Sequence, residues 1–400
     1  MKEAYIISGT RTSIGNFGGS LSPVRTDDLA AHVIRELLNK FQDFDKTKID
    51  EVILGCANQA GEDNRNVARM ALLLAGLPVS VTGETVNRLC ASGMGAIVNA
   101  KRAINTGDAD IMIAGGVEGM TRSPYVISKS TKPFGTDSKL FDSSFGWRFI
   151  NPEMQKLYGT EGMGDTAENL ASIYKISRNA QDIFAVWSQQ KAAIANKNGR
   201  LAMEISPLKI KNRNNEITIE KDEFIKPNTT LEILNALSPV FKKDGSVTAG
   251  NSSGLNDGAS ALLITSEKAI RENDFKPLAR LVSSGTSGVS PSVMGIGPVE
   301  ASNIALKKAG ISLNDIDIIE LNEAFAVQAL SCMRLLNIDD EDTRINPNGG
   351  AIALGHPLGM SGARIVYSAA LQLQLTGKKY ALCTLCVGVG QGYALILERV

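Results

Sequence analysis

A cysteine able to act as a nucleophile stands in Val86-Asn87-Arg88-Leu89-Cys90-Ala91-Ser92-Gly93. A strand-compatible run feeds it, and a helix-compatible run, Ala96 to Ile104, follows. Exposed N–H groups and the positive dipole end at such a helix start lower a thiol's pKa, and the thiolate is the attacking form. An inert buried cysteine is the commoner fate of an isolated one, so the other reactive residues decide. The chain has only two histidines. His32 lies mid-helix in Leu29-Ala30-Ala31-His32-Val33-Ile34, a packing position. His356 sits in the run from Asn348-Gly349-Gly350 to Gly355-His356-Pro357-Leu358-Gly359, where so many glycines imply backbone that comes close to a ligand. Cys383-Thr384-Leu385-Cys386 has C-x-x-C spacing, but there is no second cysteine pair and too little histidine for a structural zinc. Read as a buried strand, it makes Cys383 a core residue and Cys386 the functional one. Cys386 leads into Val387-Gly388-Val389-Gly390-Gln391-Gly392, a turn whose N–H groups suit an oxyanion. No lysine follows, so the turn is a poor phosphate loop. Asn322-Glu323-Ala324-Phe325 ends a strand pattern, and the Asn322 amide serves equally as a helix cap or as the holder of a water or oxyanion.

The elements that must position these residues alternate. Short strand patterns fall at residues 4–8, 52–54, 81–86 and 111–114, with helical patterns from Asp27, over 64–75 and after Cys90. That alternation indicates an α/β fold with covered strands. Residues 125–245 are richer in polar residues, Lys and Pro, with helical patterns over 166–174 and 180–195. This reads as an inserted, loop-rich unit of the kind that covers an active site. Regular pattern resumes near residues 261–265. The last third then repeats the first: residues 48–54 parallel 315–321, 93–96 parallel 359–363, and 111–116 parallel 382–388. Two copies of one unit, packed together, would bring Cys90 and residues 322–325, 348–359 and 386–391 to one place.

Composition excludes several classes. Lys+Arg and Asp+Glu both number 42, so no net field draws nucleic acid or an anionic membrane. Apolar runs are too short for a transmembrane helix. The start passes straight into a strand pattern, so no signal peptide is expected. Five cysteines are an odd number for a disulfide framework, and a reducing, cytoplasmic setting is the expectation.

Taken together, Asn-Arg-Leu-Cys-Ala-Ser-Gly around Cys90, Asn322-Glu323-Ala324-Phe325, Gly-His-Pro-Leu-Gly at 355–359, and Cys386 before its glycine-rich turn resemble the thiolases. The resemblance spans essentially the whole chain. It implies a five-layer αβαβα fold from two similar halves, residues 1–124 with 246–272 and residues 273–400, plus a loop domain over 125–245. It implies CoA-dependent cleavage of a 3-oxoacyl-CoA to acetyl-CoA and a shortened acyl-CoA, reversible as a condensation. The substrates are acyl-CoA and coenzyme A, with no tightly bound cofactor, no metal and a homodimer or homotetramer. By motif, Cys90 resembles the acylated nucleophile and His356 its activator. Cys386 resembles the second thiol, which exchanges the α-carbon proton, and Asn322 resembles the holder of an oxyanion-hole water. The backbone N–H groups of Cys90 and Gly388 resemble the other oxyanion hole. Val247 to Gly254 resembles the pantetheine-contacting segment, so Ser253, Ala249 and Leu255 are expected at coenzyme A. Met163 and Phe325 are expected along the tunnel.

Two departures narrow the substrate. Gly162 stands where acetoacetyl-CoA thiolases usually carry a histidine beside the methionine, and Val389 stands where most thiolases have glycine. Residues 55–66, 146–149 and 387–392 resemble the β-ketoadipyl-CoA subgroup, and Arg148 is a candidate partner for a distal carboxylate, with surface placement an equal reading. The substrate implied is therefore 3-oxoadipyl-CoA or a fatty 3-oxoacyl-CoA, and an acetoacetyl-CoA thiolase condensing two acetyl-CoA is the alternative. A synthase with a Cys-His-His site needs two histidines after the cysteine, and only His356 follows Cys90.

Overall fold

A computed structural model of the chain describes residues 2–212 and 215–400. The first half runs β1 (Ala4–Arg11), β2 (Gly15–Asn16), α1 (Thr26–Leu38), β3 (Glu51–Gly55), α2 (Val67–Leu74), β4 (Thr82–Val86), α3 (Ser92–Thr106) and β5 (Ile111–Gly119). A long excursion follows: β6 (Tyr125–Ile127), β7 (Leu140–Asp142), α4 (Pro152–Tyr158), α5 (Met163–Tyr174), α6 (Arg178–Lys197), β8 (Leu208–Asn212), β9 (Asn215–Ile219) and α7 (Leu231–Asn235). The chain then returns through β10 (Asn256–Ser266) and α8 (Glu267–Asn273). The second half runs β11 (Ala279–Gly288), α9 (Gly297–Ala309), β12 (Ile318–Leu321), α10 (Ala326–Leu335), α11 (Ala351–Leu354), α12 (Leu358–Thr376), β13 (Tyr380–Val387) and β14 (Gln391–Arg399).

The strands lie side by side in the order β12-β13-β14-β11-β1-β10-β5-β3-β4, with β2 beside β10. The seam between halves is short: β1 pairs with β11 only at Tyr5–Arg280 and Ile6–Ala279. Each half repeats one plan. β3 runs parallel to β5 as β12 runs parallel to β13. β10 runs antiparallel to β5 as β14 runs antiparallel to β13. The place of β4 in the second half is taken by a single parallel bridge, Ile319 to Ile345.

Strands this apolar must be covered on both faces, and β5 shows how. Met112 and Ala114 enter a core shared by α3 and α12, while Ile111, Ile113 and Val117 enter a second core under α1 and α2. A third core lies under α9 and α10. The result is helices, sheet, paired central helices, sheet and helices. The central pair touches closely: a Cβ on Gly93 would lie 2.6 Å from the Gly359 carbonyl oxygen, so no larger residue fits there.

α2 begins later than its apolar pattern, because Asn64 is held in a turn by Gly61 and the Asn66 side chain caps the helix by accepting the Arg69 N–H. The excursion is fixed to the sheet by Arg11, which is fully buried. Its guanidinium donates to both Asp222 oxygens at 2.7 and 2.9 Å and to Glu204 at 2.9 Å. Among the described residues no helix is long and apolar enough to cross a membrane.

Candidate active site

Cys90 lies in a 3-10 turn, Leu89–Ala91, immediately before α3. The turn is tight. Leu89 takes a positive φ of 45°, and the Ser92 hydroxyl donates to Leu89 O at 2.7 Å while accepting the Arg88 N–H at 2.9 Å. His356 occupies the equivalent place before α12, after Gly355 with φ 102°. The repeat that pairs α3 with α12 therefore pairs a sulfur with an imidazole.

Cys90 is part-buried and opens on a cavity of about 220 Å³, which Met163, Leu358, Gly388 and Val389 also line. Burial pushes the thiol up to about 11, opposed by the backbone N–H groups of Gly388 and of Cys90 itself, which favour the thiolate. The sequence reading expected the helix start to lower this pKa. Desolvation outweighs the dipole, so the resting side chain is a thiol and needs a base. Gly388, whose N–H is expected at an oxyanion together with that of Cys90, lines the same cavity as the sulfur.

Cys386 and Cys383 lie three residues apart on one strand, so they face opposite sides of the sheet. Cys383 packs in the central core and Cys386 in the outer core of the second half. Cys386 is 1% exposed, and its thiol is held well above its ordinary range by burial and then by the nearby Cys90 and Cys332.

His356 is buried, and its Nδ1 lies 2.6 Å from Ser361 Oγ. That hydroxyl donates to Pro357 O at 2.9 Å, so it accepts from His356 Nδ1–H. The tautomer assigned by this network leaves Nε2 as the basic nitrogen. Burial, and then the Arg364 cation, push the imidazole down to about 4, which keeps it neutral near pH 7. Nε2 lies 3.4 Å from Asn322 Nδ2. Asn322 follows β12, its N–H donates to Thr384 O at 3.0 Å on the strand that carries Cys386, and its Oδ1 accepts no hydrogen bond among the described residues. The geometry favours a presented amide over a helix cap, since α10 starts at Ala326 with no side-chain cap.

Of the residues expected at coenzyme A or along the tunnel, Met163 lines the Cys90 cavity. Ser253, Ala249, Leu255 and Phe325 are not among the residues lining the Cys90 cavity. Their segment runs along the Asn322 strand end instead: Ser252 bridges Phe325, and both the N–H and hydroxyl of Ser253 donate to Ala324 O, at 3.0 and 3.1 Å.

Three supporting residues had no local signal in the sequence. Asn256 Oδ1 accepts the His356 N–H at 2.9 Å. Ser361 orients the imidazole, and only its place one helical turn after Pro357 could have marked it. Glu118, at the end of β5, accepts the N–H groups of Ala57, Asn58 and Gly359 at 2.8–3.0 Å, and burial pushes its carboxyl up to about 7. It ties the loop after β3 to the start of α12.

A cysteine turn and a histidine turn open the equivalent helices of two repeats of one unit, and a second cysteine, Cys386, stands near the end of β13. Residues 4–268 match the thiolase N-terminal domain and residues 275–399 the thiolase C-terminal domain, so the chain belongs to the thiolase family. It is an acyltransferase that cleaves 3-oxoacyl-CoA with coenzyme A. The chain is 55% identical over 401 residues, covering all of both sequences, to a β-ketoadipyl-CoA thiolase of Escherichia coli. It is equally similar, 55% over 401 residues and again all of both chains, to the 3-oxoadipyl-CoA/3-oxo-5,6-dehydrosuberyl-CoA thiolase of E. coli strain K12. The crystal structure of human mitochondrial 3-ketoacyl-CoA thiolase in complex with CoA superposes with a TM-score of 0.92 at 41% identity, covering 100% of this chain and 98% of that one.

Proposed function

We propose that this thiolase cleaves 3-oxoadipyl-CoA to succinyl-CoA and acetyl-CoA through an acyl-Cys90 intermediate. The observation that carries the residue assignment is that Cys90 and Gly388, nearly 300 residues apart along the chain, line one cavity, with Cys386 close enough to Cys90 for that residue to raise its pKa.

In the first half-reaction His356 Nε2 takes the Cys90 proton, and the thiolate attacks the C3 ketone. The alkoxide charge is met by the N–H groups of Cys90 and Gly388. The C2–C3 bond breaks, its electrons pass to the thioester as an enolate, and the oxygen is stabilised by protonated His356 with the Asn322 amide or a water it holds. The Cys386 thiol protonates C2, releasing acetyl-CoA. Its raised pKa suits this step, because a resting thiol has a proton to give. In the second half-reaction the Cys386 thiolate deprotonates incoming coenzyme A, whose sulfur attacks the acyl-Cys90 carbonyl. Cys90 departs and recovers its proton from His356. A thiolate suits both attack and departure.

The pantetheine arm is assigned to residues 247–255, with Ser253 its hydrogen-bonding member, and residues 125–245 are assigned as the cover over it between the two halves. Ser253 donates to Ala324 O, so it would accept from the ligand or exchange partners. Phe241, from the excursion, stacks edge-on to Phe325 at 6.2 Å between ring centres, which supports a shared wall. A homodimer or homotetramer remains part of this proposal.

The test follows loss of the 3-oxo thioester on adding coenzyme A. Cys90→Ala should lower turnover by about 10⁴-fold or more, and turnover close to wild type would remove Cys90 from the role. Cys386→Ala should still form acyl-Cys90, seen by intact mass, but lose exchange of the acetyl-CoA methyl protons. Comparing kcat/KM across 3-oxoadipyl-, longer unbranched 3-oxoacyl- and acetoacetyl-CoA decides the substrate, and a preference for acetoacetyl-CoA would overturn the choice made here.

A further inference from the structure

We propose that Arg148 is the residue that selects substrates ending in a carboxylate, by binding that carboxylate in the cavity that opens on Cys90. This rests on the reading of the chain as a 3-oxoadipyl-CoA thiolase and deepens it.

Among the described residues, Arg148 is the single cation lining the cavity that Cys90 lines. It is part-buried, and a part-buried guanidinium normally finds a carboxylate. This one has none among the described residues. Its Nη1 donates to Ser143 O at 3.2 Å, and its Nη2 donates to Asn58 O and Oδ1 at 3.4 and 3.3 Å. These are long contacts to neutral acceptors. They hold the group in place and leave its charge uncompensated and Nε without a partner among the described residues. A planar fork with free N–H groups is the geometry that takes a carboxylate through two parallel hydrogen bonds.

The support behind Arg148 is rigid. Asn58 donates to Ser123 Oγ and, at 3.1 Å, to Ser143 O, while its own N–H donates to Glu118 at 3.0 Å. Glu118 lines the same cavity and is the anion that could have neutralised Arg148. Instead, Oε1 accepts the Asn58 N–H and Oε2 the Ala57 and Gly359 N–H groups. The remaining wall is largely apolar, from Leu89, Met120, Phe145 and Leu358, which suits the methylenes between a reacting ketone and a terminal carboxylate. The loop after β3 and the stretch 146–149 are far apart in sequence, and this cavity brings them together.

The test compares 3-oxoadipyl-CoA with 3-oxohexanoyl-CoA, which has the same chain length and a methyl end. A wild-type enzyme without preference for the dicarboxylic substrate would overturn the substrate reading itself. Given that preference, Arg148→Met should lower the ratio of the two kcat/KM values by about 100-fold, the loss expected when a charge-assisted, two-point contact is removed. An unchanged ratio in Arg148→Met would overturn the role of Arg148 while leaving the substrate reading intact. If Arg148→Met does not fold, Arg148→Lys decides: it keeps the charge and loses the fork, so the ratio should fall by about tenfold, and an unchanged ratio again overturns the proposal.

Discussion

The turn before α3 and the turn before α12 occupy the same place in two copies of one fold, yet they differ in every chemical respect. The first is a 3-10 turn that leaves Cys90 part-buried at a cavity. The second, after Gly355, buries His356 and holds both its backbone and its ring, through Asn256 and Ser361. The connections one strand later differ as much. β5 reaches β10 only through residues 120–255, whereas β13 reaches β14 through residues 388–390. A repeated scaffold thus supplies geometry twice and chemistry once. In the mechanism proposed above, the half with the long excursion presents the attacking atom, and the half with the short turn supplies the base, the second thiol and an N–H donor.

Next to the loss expected for Cys90→Ala, the largest effect comes from cancelling that division of labour at its buried end. His356→Asn should cost about 10³-fold in kcat, the contribution of a positioned general base. The same variant has a signature in stability. Native His356 is held down near 4, whereas an unfolded histidine takes up a proton near 6.5. As pH falls through that window the unfolded chain binds a proton that the folded chain refuses, so stability is lost, and the loss is complete below 4. Replacing His356 should flatten the fall of Tm between pH 6.5 and 4. A Tm profile as steep as wild type would mean that other groups set it.

The long connection is tested at its anchor. Arg11→Met leaves Asp222 and Glu204 buried without their cation, which should destabilise the fold by about 3 kcal/mol or more in denaturant titration. Arg200, which also donates to Glu204 at 2.7 Å, limits the damage at that carboxylate. A loss under about 1 kcal/mol would show that the excursion is held mainly by its apolar contacts.

The short connection offers the smallest effect. Val389 has φ 63°, a left-handed conformation that disfavours a β-branched residue. Val389→Gly relieves that strain but frees the unfolded chain, so the net gain should be at most about 1 kcal/mol. Because Val389 lines the cavity, specificity between 3-oxoadipyl- and longer 3-oxoacyl-CoA should shift more visibly than Tm. If both stay fixed, the valine is not a wall.

Much of this arrangement was legible in the residues. The apolar runs around 52–54, 111–114 and 318–321 mark strands covered on both faces, because in them nearly every position must be buried. The pairing of α3 with α12 followed from the parallel between 93–96 and 359–363, since a helix start rich in small residues has the same meaning in both copies. Cys386 could be told from Cys383 because a spacing of three on a strand separates faces. What stayed hidden depends on contacts between distant segments. The raised pKa of Cys90 comes from enclosure that no local pattern encodes. Asn256 meets His356 across a hundred residues, and Glu118 joins the loop after β3 to α12 through backbone groups that any residue carries.

The placement of β1 has a consequence for biosynthesis. Its two neighbours, β10 and β11, begin at Asn256 and Ala279, so the first strand to leave the ribosome waits through most of translation for either edge to be paired. During that interval it presents bare backbone flanked by apolar side chains, a template for misassembly. Closure of the sheet, and with it the meeting of the two turns, becomes a late event that only a nearly finished chain can perform.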